Sequence, residues 1–130
     1  MFLKSYNLWH KLKLFLNNEK QRVYFHEKEI WFCHLGENVG FEQDGRGMSF
    51  LRPVLILKKF NNQVFWAIPL TKTIKNGDYY YSFCFNKKLK STAILSQIRL
   101  IDAKRLKYKS GGLQTAEFTE IKEKIKHLLD

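Results

Sequence analysis

Few residues in this 130-residue chain could do chemistry. Cys33 and His34 are neighbours in a strand-like run, so their side chains point to opposite faces. His10, His26 and His127 have no neighbour at ligand spacing, so the sequence predicts neither a protein-bound metal nor a cofactor. Cys33 and Cys84 sit in separate apolar runs and read as buried free thiols, neither a disulfide pair nor a nucleophile. P-loop, dinucleotide and nucleophile-elbow patterns are absent. What remains is a glycine-rich loop, Gly40-Phe41-Glu42-Gln43-Asp44-Gly45, and its exit, Leu51-Arg52-Pro53. Further along, Tyr79, Tyr80 and Tyr81 follow Lys72 and Lys75 and precede Lys87, Lys88 and Lys90. Such a cluster could stack on nucleic-acid bases or be ordinary strand packing, and alternation lets only one set of the tyrosines face solvent.

The charge favours a polyanion. There are 23 Lys and Arg against 12 Asp and Glu, a formal charge of +11. Residues 46–110 hold fourteen basic side chains against only Asp78 and Asp102, just after the acidic pair Glu42 and Asp44. A field of this kind suits nucleic acid or an acidic protein. A membrane surface suits it less, because the basic segment has no Lys/Arg-faced amphipathic helix and no lipidation motif. No apolar run approaches the roughly 18–20 residues of a membrane span. Met1 to Leu16 is interrupted by Lys4, His10, Lys11 and Lys13, unlike a secretory signal, so a cytoplasmic protein is expected.

These residues must be held by a folded domain, since 45% of the chain is hydrophobic and 15% aromatic. Leu8, Leu12, Phe15 and Leu16 recur at helical spacing between Ser5, a possible N-cap, and Asn17-Asn18. Glu29 to Leu35 reads as a strand, and a loop with Gly40, Gly45 and Gly47 runs to about Phe50. Pro53 to Leu57 and Val64 to Leu70 read as strands buried on both faces, joined through a turn at Asn61-Asn62, with Pro53 at a strand start. Asp78 to Phe85 alternates with period two. Asn86 to Lys90 reads as a basic turn, Thr92 to Ile101 as one further strand, and Lys104 to Lys109 as a basic stretch. Phe118, Ile121, Ile125 and Leu128 predict a closing helix with Thr115 as N-cap and Glu117 in its first turn. About five strands between two helices, without crossover helices, predict a mainly β, small antiparallel barrel. With no internal repeat, low-complexity tract or Pro/Ser-rich linker, one domain is predicted.

Two segments carry a family resemblance. The order strand, G-x-E-Q-x-G, R-P and buried apolar run, then a second strand ending near a threonine, resembles the MazF/PemK toxins. Leu95-Ser96-Gln97-Ile98-Arg99-Leu100-Ile101-Asp102, with Lys104-Arg105-Leu106 after it, resembles a second segment of that family. The resemblance implies an SH3-like barrel of the MazF/CcdB kind that works as a homodimer. It also implies a type II toxin: a sequence-specific, ribosome-independent endoribonuclease that cleaves single-stranded mRNA without a metal, leaving 2′,3′-cyclic phosphate and 5′-hydroxyl ends, and is held inactive by a small acidic antitoxin. Carried over residue by residue, it assigns Arg52 to the phosphate, Thr71 to assisting it, with Thr73 as alternative, and Glu42 to positioning or proton transfer. RNA contacts fall to Gln43, Arg46, Lys72, Thr73, Lys75, Gln97 and Arg99.

Between Gly45 and Arg52 the chain carries Arg46-Gly47-Met48-Ser49-Phe50-Leu51, longer than the family's usual link, so the cleavage sequence is not transferable. The resemblance covers the barrel with its C-terminal helix (26–130) and leaves residues 1–25 as an extra N-terminal helical extension of the same domain; its Trp9 and Phe15 could cover a barrel edge, extend a dimer contact or meet the antitoxin. Two rival functions fit the same barrel: a CcdB-like toxin that poisons a target such as gyrase by binding, and a non-catalytic RNA-binding barrel.

Overall fold

The computed structural model describes residues 4–40, 42–47, 49–86 and 89–130; residues 1–3, Phe41, Met48, Lys87, Lys88 and the side chains of Phe85, Asn86 and Leu89 lie outside the described residues. Its elements are α1 (Tyr6–Asn17), β1 (Glu29–His34), β2 (Leu51–Lys59), β3 (Val64–Thr71), β4 (Tyr80–Asn86), β5 (Leu89–Ile94), β6 (Arg99–Asp102), β7 (Leu106–Gly112) and α2 (Thr115–Leu128). The strands form one antiparallel sheet in the order β4-β5-β3-β2-β1-β7, with β6 added on β3. This is the barrel-like, mainly β architecture with flanking helices that the sequence predicts.

Alternation splits the apolar residues of the central strands between two layers. Val54 and Ile56 of β2, with Phe65 and Ala67 of β3, join Phe25, Trp31 and Cys33. Leu55, Leu57, Ile68 and Leu70 face the other way and are covered by Phe118 and Ile121 of α2. Each large side chain so buried contributes about 1.5–3 kcal/mol, which is why α2 docks despite its charged outer face. On the far side α1 packs Trp9 and Leu16 against Phe50.

Several expectations need correction. Thr92 to Ile101 is not one strand. Ala93 pairs with Leu70 and Arg99 with Ala67, so six residues forward oppose three residues back along the same edge of β3. The excess leaves the ladder as a 3-10 turn, Leu95–Gln97. Pro69, which has no N–H, lies in that unpaired interval. The basic stretch Lys104 to Lys109 also contains a strand, β7, which pairs with β1 through two register shifts. It reads as polar because it is an edge strand, where exposed lysines and bulges discourage pairing with other chains.

Pro53 is the third residue of β2, opposite Phe32, because pairing begins at Leu51. Ser5 occupies the N-cap position of α1 without a side-chain bond, and Gln114, not Thr115, occupies that of α2. Both cysteines are free, but only Cys33 is buried; Cys84 is exposed, on the β4 face opposite Tyr81 and Phe83. Among the described residues no helix is long and apolar enough to cross a membrane.

Candidate functional site

The glycine-rich loop leaves β1 at a tight corner. Gly36 has φ +85°, and a Cβ there would overlap the Trp9 indole, so glycine is required by both backbone and packing. Beyond it the loop is built around two side chains. Asn38 donates through Nδ2 to Leu35 O at 3.1 Å and Gln43 O at 2.8 Å, while its backbone N–H donates to Asp44 Oδ1. Asp44 also forms an ion pair with Lys4, 3.0 Å from Oδ2. Gly45 N–H donates to Gly36 O at 2.7 Å and closes the loop. Arg46 and Leu51 then exchange backbone hydrogen bonds of 2.7 and 2.9 Å, so the longer link folds back as a small hairpin. At its tip Phe50 adopts φ +53°, and Ser49 O accepts from His34 Nδ1–H at 2.6 Å.

Arg52 follows directly and is only 8% exposed. Its Nε donates to Asp44 O and its Nη1 to Leu70 O at 3.0 Å, so one guanidinium ties the loop to the end of β3. Burial, and then the nearby Arg46, lower its pKa from the ordinary arginine value, yet a guanidinium stays protonated. These bonds use two of the five N–H donors of a guanidinium, and the side chain also lines the adjacent cleft.

That cleft has a volume of about 790 Å³ and is lined by Glu42, Gln43, Arg46 and Arg52 together with Ser5 and Leu8 of α1. Glu42 Oε1 accepts from Val39 N–H at 3.0 Å, which orients its carboxylate at the rim. Gln97, carried out of the ladder by the 3-10 turn, accepts from Gln43 N–H at 2.8 Å. Four of the residues predicted for the site therefore share one cleft, and a fifth braces it.

The others lie apart from it. Thr71, half-buried at the end of β3, follows Leu70, whose carbonyl holds Arg52. Thr73, the alternative to it, lies off the strand: β3 ends at Thr71, and Thr71 Oγ1 accepts from Thr73 N–H at 3.3 Å in a turn. Lys72, Thr73 and Lys75 are exposed beyond β3, with Lys75 Nζ 5.5 Å from the centre of the Tyr80 ring. Arg99 lies on β6, where its charge acts on Arg105 and Cys33. Tyr81 is turned toward α2 and donates to Glu120 at 2.6 Å, leaving Tyr79 as the exposed member of that face. Sequence reading passed over Asn38, Asp44 and Lys4. The acidic Glu42-Asp44 pair hinted at Asp44, but nothing local marks Lys4, whose partner is forty residues away. Among the described residues no three His, Cys, Asp or Glu side chains converge to hold a metal.

Comparison with known proteins supplies the family. A MazF from Deinococcus radiodurans superposes with a TM-score of 0.68 at 18% identity, over 82% of this chain and 97% of that one. A Mycobacterium tuberculosis toxin, MazF-mt6, superposes with a TM-score of 0.61 at 18% identity, over 78% and 96%. A mycobacterial endoribonuclease in complex with its cognate antitoxin gives 0.62 at 16% identity, over 79% and 92%. At these identities the likeness shows the fold. No curated protein matches the sequence. The family model of PemK-like, MazF-like toxins of type II toxin–antitoxin systems matches residues 26–129, and the chain belongs to that family.

Proposed function

We propose that the protein is a metal-independent endoribonuclease that cuts single-stranded mRNA at a short sequence, with the Arg52 cleft as its active site. Membership of a family that generally consists of endoribonucleases supports the reaction class. The observation that carries the site is the Arg52 guanidinium. It is anchored on Asp44 O and Leu70 O and lines a cleft of about 790 Å³ that it shares with Glu42, Gln43 and Arg46.

RNA contains its own nucleophile, so the protein need only position it, move two protons and stabilise charge. The 2′-oxygen gives up its proton to a base and attacks phosphorus as the bond to the 5′-oxygen breaks, and the leaving oxygen takes a proton from solvent water, giving a 2′,3′-cyclic phosphate and a 5′-hydroxyl. Arg52 binds the non-bridging oxygens and gains strength as they take up charge in the pentacoordinate transition state. Glu42 at the rim is the candidate to accept the 2′-hydroxyl proton or orient the group that does. Thr71, one residue beyond Arg52's anchor, is the candidate second donor. Gln43 and Arg46 contact the flanking nucleotides, and Lys72, Thr73, Lys75, Gln97 and Arg99 supply the wider positive surface. A small acidic antitoxin is the expected partner, a reading supported by the mycobacterial endoribonuclease solved in complex with its cognate antitoxin. The active form is a homodimer.

Purified protein in EDTA should cut a mixed-sequence single-stranded RNA, and ligation-based mapping of new 5′-hydroxyl ends should return one short recognition sequence. Intact RNA under those conditions would refute the reading. DNA breaks with intact RNA would favour the gyrase-poisoning alternative, and salt-sensitive binding without new ends the RNA-binding one.

A further inference from the structure

We propose that α1 is a built-in clamp on the active-site loop and that Lys4 is a positioning residue for Arg52. This rests on the reading of Arg52 as the phosphate-binding group. The family match spans residues 26–129, so α1 and the residues leading into it lie outside the matched region, and they touch the loop at several points.

Lys4 Nζ pairs with Asp44 Oδ2 at 3.0 Å and also donates to Asn38 O. Tyr6 Oη donates to the same carbonyl at 3.1 Å. Trp9 is 5% exposed; its ring lies where a Gly36 Cβ would be and 5.5 Å from the Phe50 ring. The guanidinium of Arg105 lies over Trp9 at 5.4 Å. The loop corner has thus been shaped for the helix, since any residue but glycine at position 36 would expel the indole.

The mechanical consequence passes through Asp44. Its carboxylate is held by Lys4 on one oxygen and by Asn38 N–H on the other, while its backbone carbonyl holds Arg52 Nε. Whatever fixes Asp44 therefore fixes the arginine. Lys4 also neutralises a carboxylate whose charge already acts on Arg52. Without Lys4 that carboxylate keeps only its bond from Asn38 N–H, and its unneutralised charge competes with the phosphate for the guanidinium. Loss of the clamp should therefore act on the chemical step as well as on the loop's order.

The test uses the full chain with Lys4→Met, Lys4→Arg and the double variant Lys4→Met/Asp44→Asn. Single-turnover cleavage should fall about 10- to 100-fold in Lys4→Met, the loss expected when a reacting group is misplaced by about 1 Å. Lys4→Arg should stay within about threefold of wild type, and Asp44→Asn should restore part of the rate lost in Lys4→Met by removing the competing charge. Melting temperature should change little, because an ion pair of this exposure adds little to global stability. Hydrogen exchange at the Asn38 and Gly45 amides gives a readout independent of activity: both should lose protection in Lys4→Met. If those amides stay protected, the clamp is wrong whatever the RNA data. If they lose protection but cleavage stays at the wild-type rate, Lys4 is not a positioning residue. If wild-type protein leaves RNA intact, the proposed function fails, and exchange alone decides the clamp.

Discussion

Replacing Arg52 with Met separates two roles that the structure assigns to one side chain. As a staple, the guanidinium supplies donors to Asp44 O and Leu70 O. Hydrogen bonds to a charged group contribute about 1.5–3 kcal/mol each. The Asp44 carbonyl borders a wet cleft and can take water instead, and the burial that lowers the Arg52 pKa is relieved in the variant. A net loss of about 2–3 kcal/mol is expected. Even from a starting stability of only ~5 kcal/mol, that leaves more than about 95% of the molecules folded, so unfolding removes only a few per cent of the activity. As a catalytic donor, loss of the guanidinium should lower the cleavage rate by about 10²- to 10³-fold. The two effects differ by about two to three orders of magnitude in their effect on rate. Urea denaturation measures the first, and single-turnover cleavage of a fluorophore–quencher RNA in EDTA measures the second. Arg52→Lys, which keeps the charge but loses the fork, should fall between. A variant that loses 2–3 kcal/mol yet cleaves within threefold of wild type would show that Arg52 only staples the loop.

Three further outcomes follow from the geometry. Gly36→Ala combines a left-handed φ, costing about 1–2 kcal/mol, with overlap on Trp9, costing about 1–3 kcal/mol. In a Trp9→Ala background only the first cost should persist, and a urea double-mutant cycle without coupling would refute the contact. Cys84 should react with a thiol reagent in the native protein, while Cys33, buried and with its pKa pushed up to about 12 by desolvation, should react only on unfolding. Burial holds His34 below the ordinary histidine value of 6.5, outweighing its bond to Ser49 O. Its contribution to stability is therefore complete above about pH 6.5 and declines as pH falls through the lowered folded value. The urea midpoint should drop between pH 8 and 5, and His34→Gln should flatten that drop.

The part of the molecule decided by local chemistry was legible in the sequence. Apolar runs such as Pro53 to Leu57 must be buried on both faces, helical spacing from Phe118 to Leu128 must present a stripe, and glycines in the loop must permit turns. The motifs around Glu42-Gln43 and Arg52-Pro53 likewise pointed to the loop that the fold places at a cleft. Strand β7 escaped because an exposed edge looks like any polar segment. The break at Leu95–Gln97 escaped because it arises from the count of residues opposite β3, not from a turn signal of its own. Only tertiary structure could decide that Arg52 is buried beneath two carbonyls, that Gln97 braces a loop fifty-four residues away, and that Lys4 reaches Asp44. Residue type and spacing govern contacts a few positions apart. Contacts between distant segments depend on the path the sheet takes when it curls, and that path is set by all the buried side chains together.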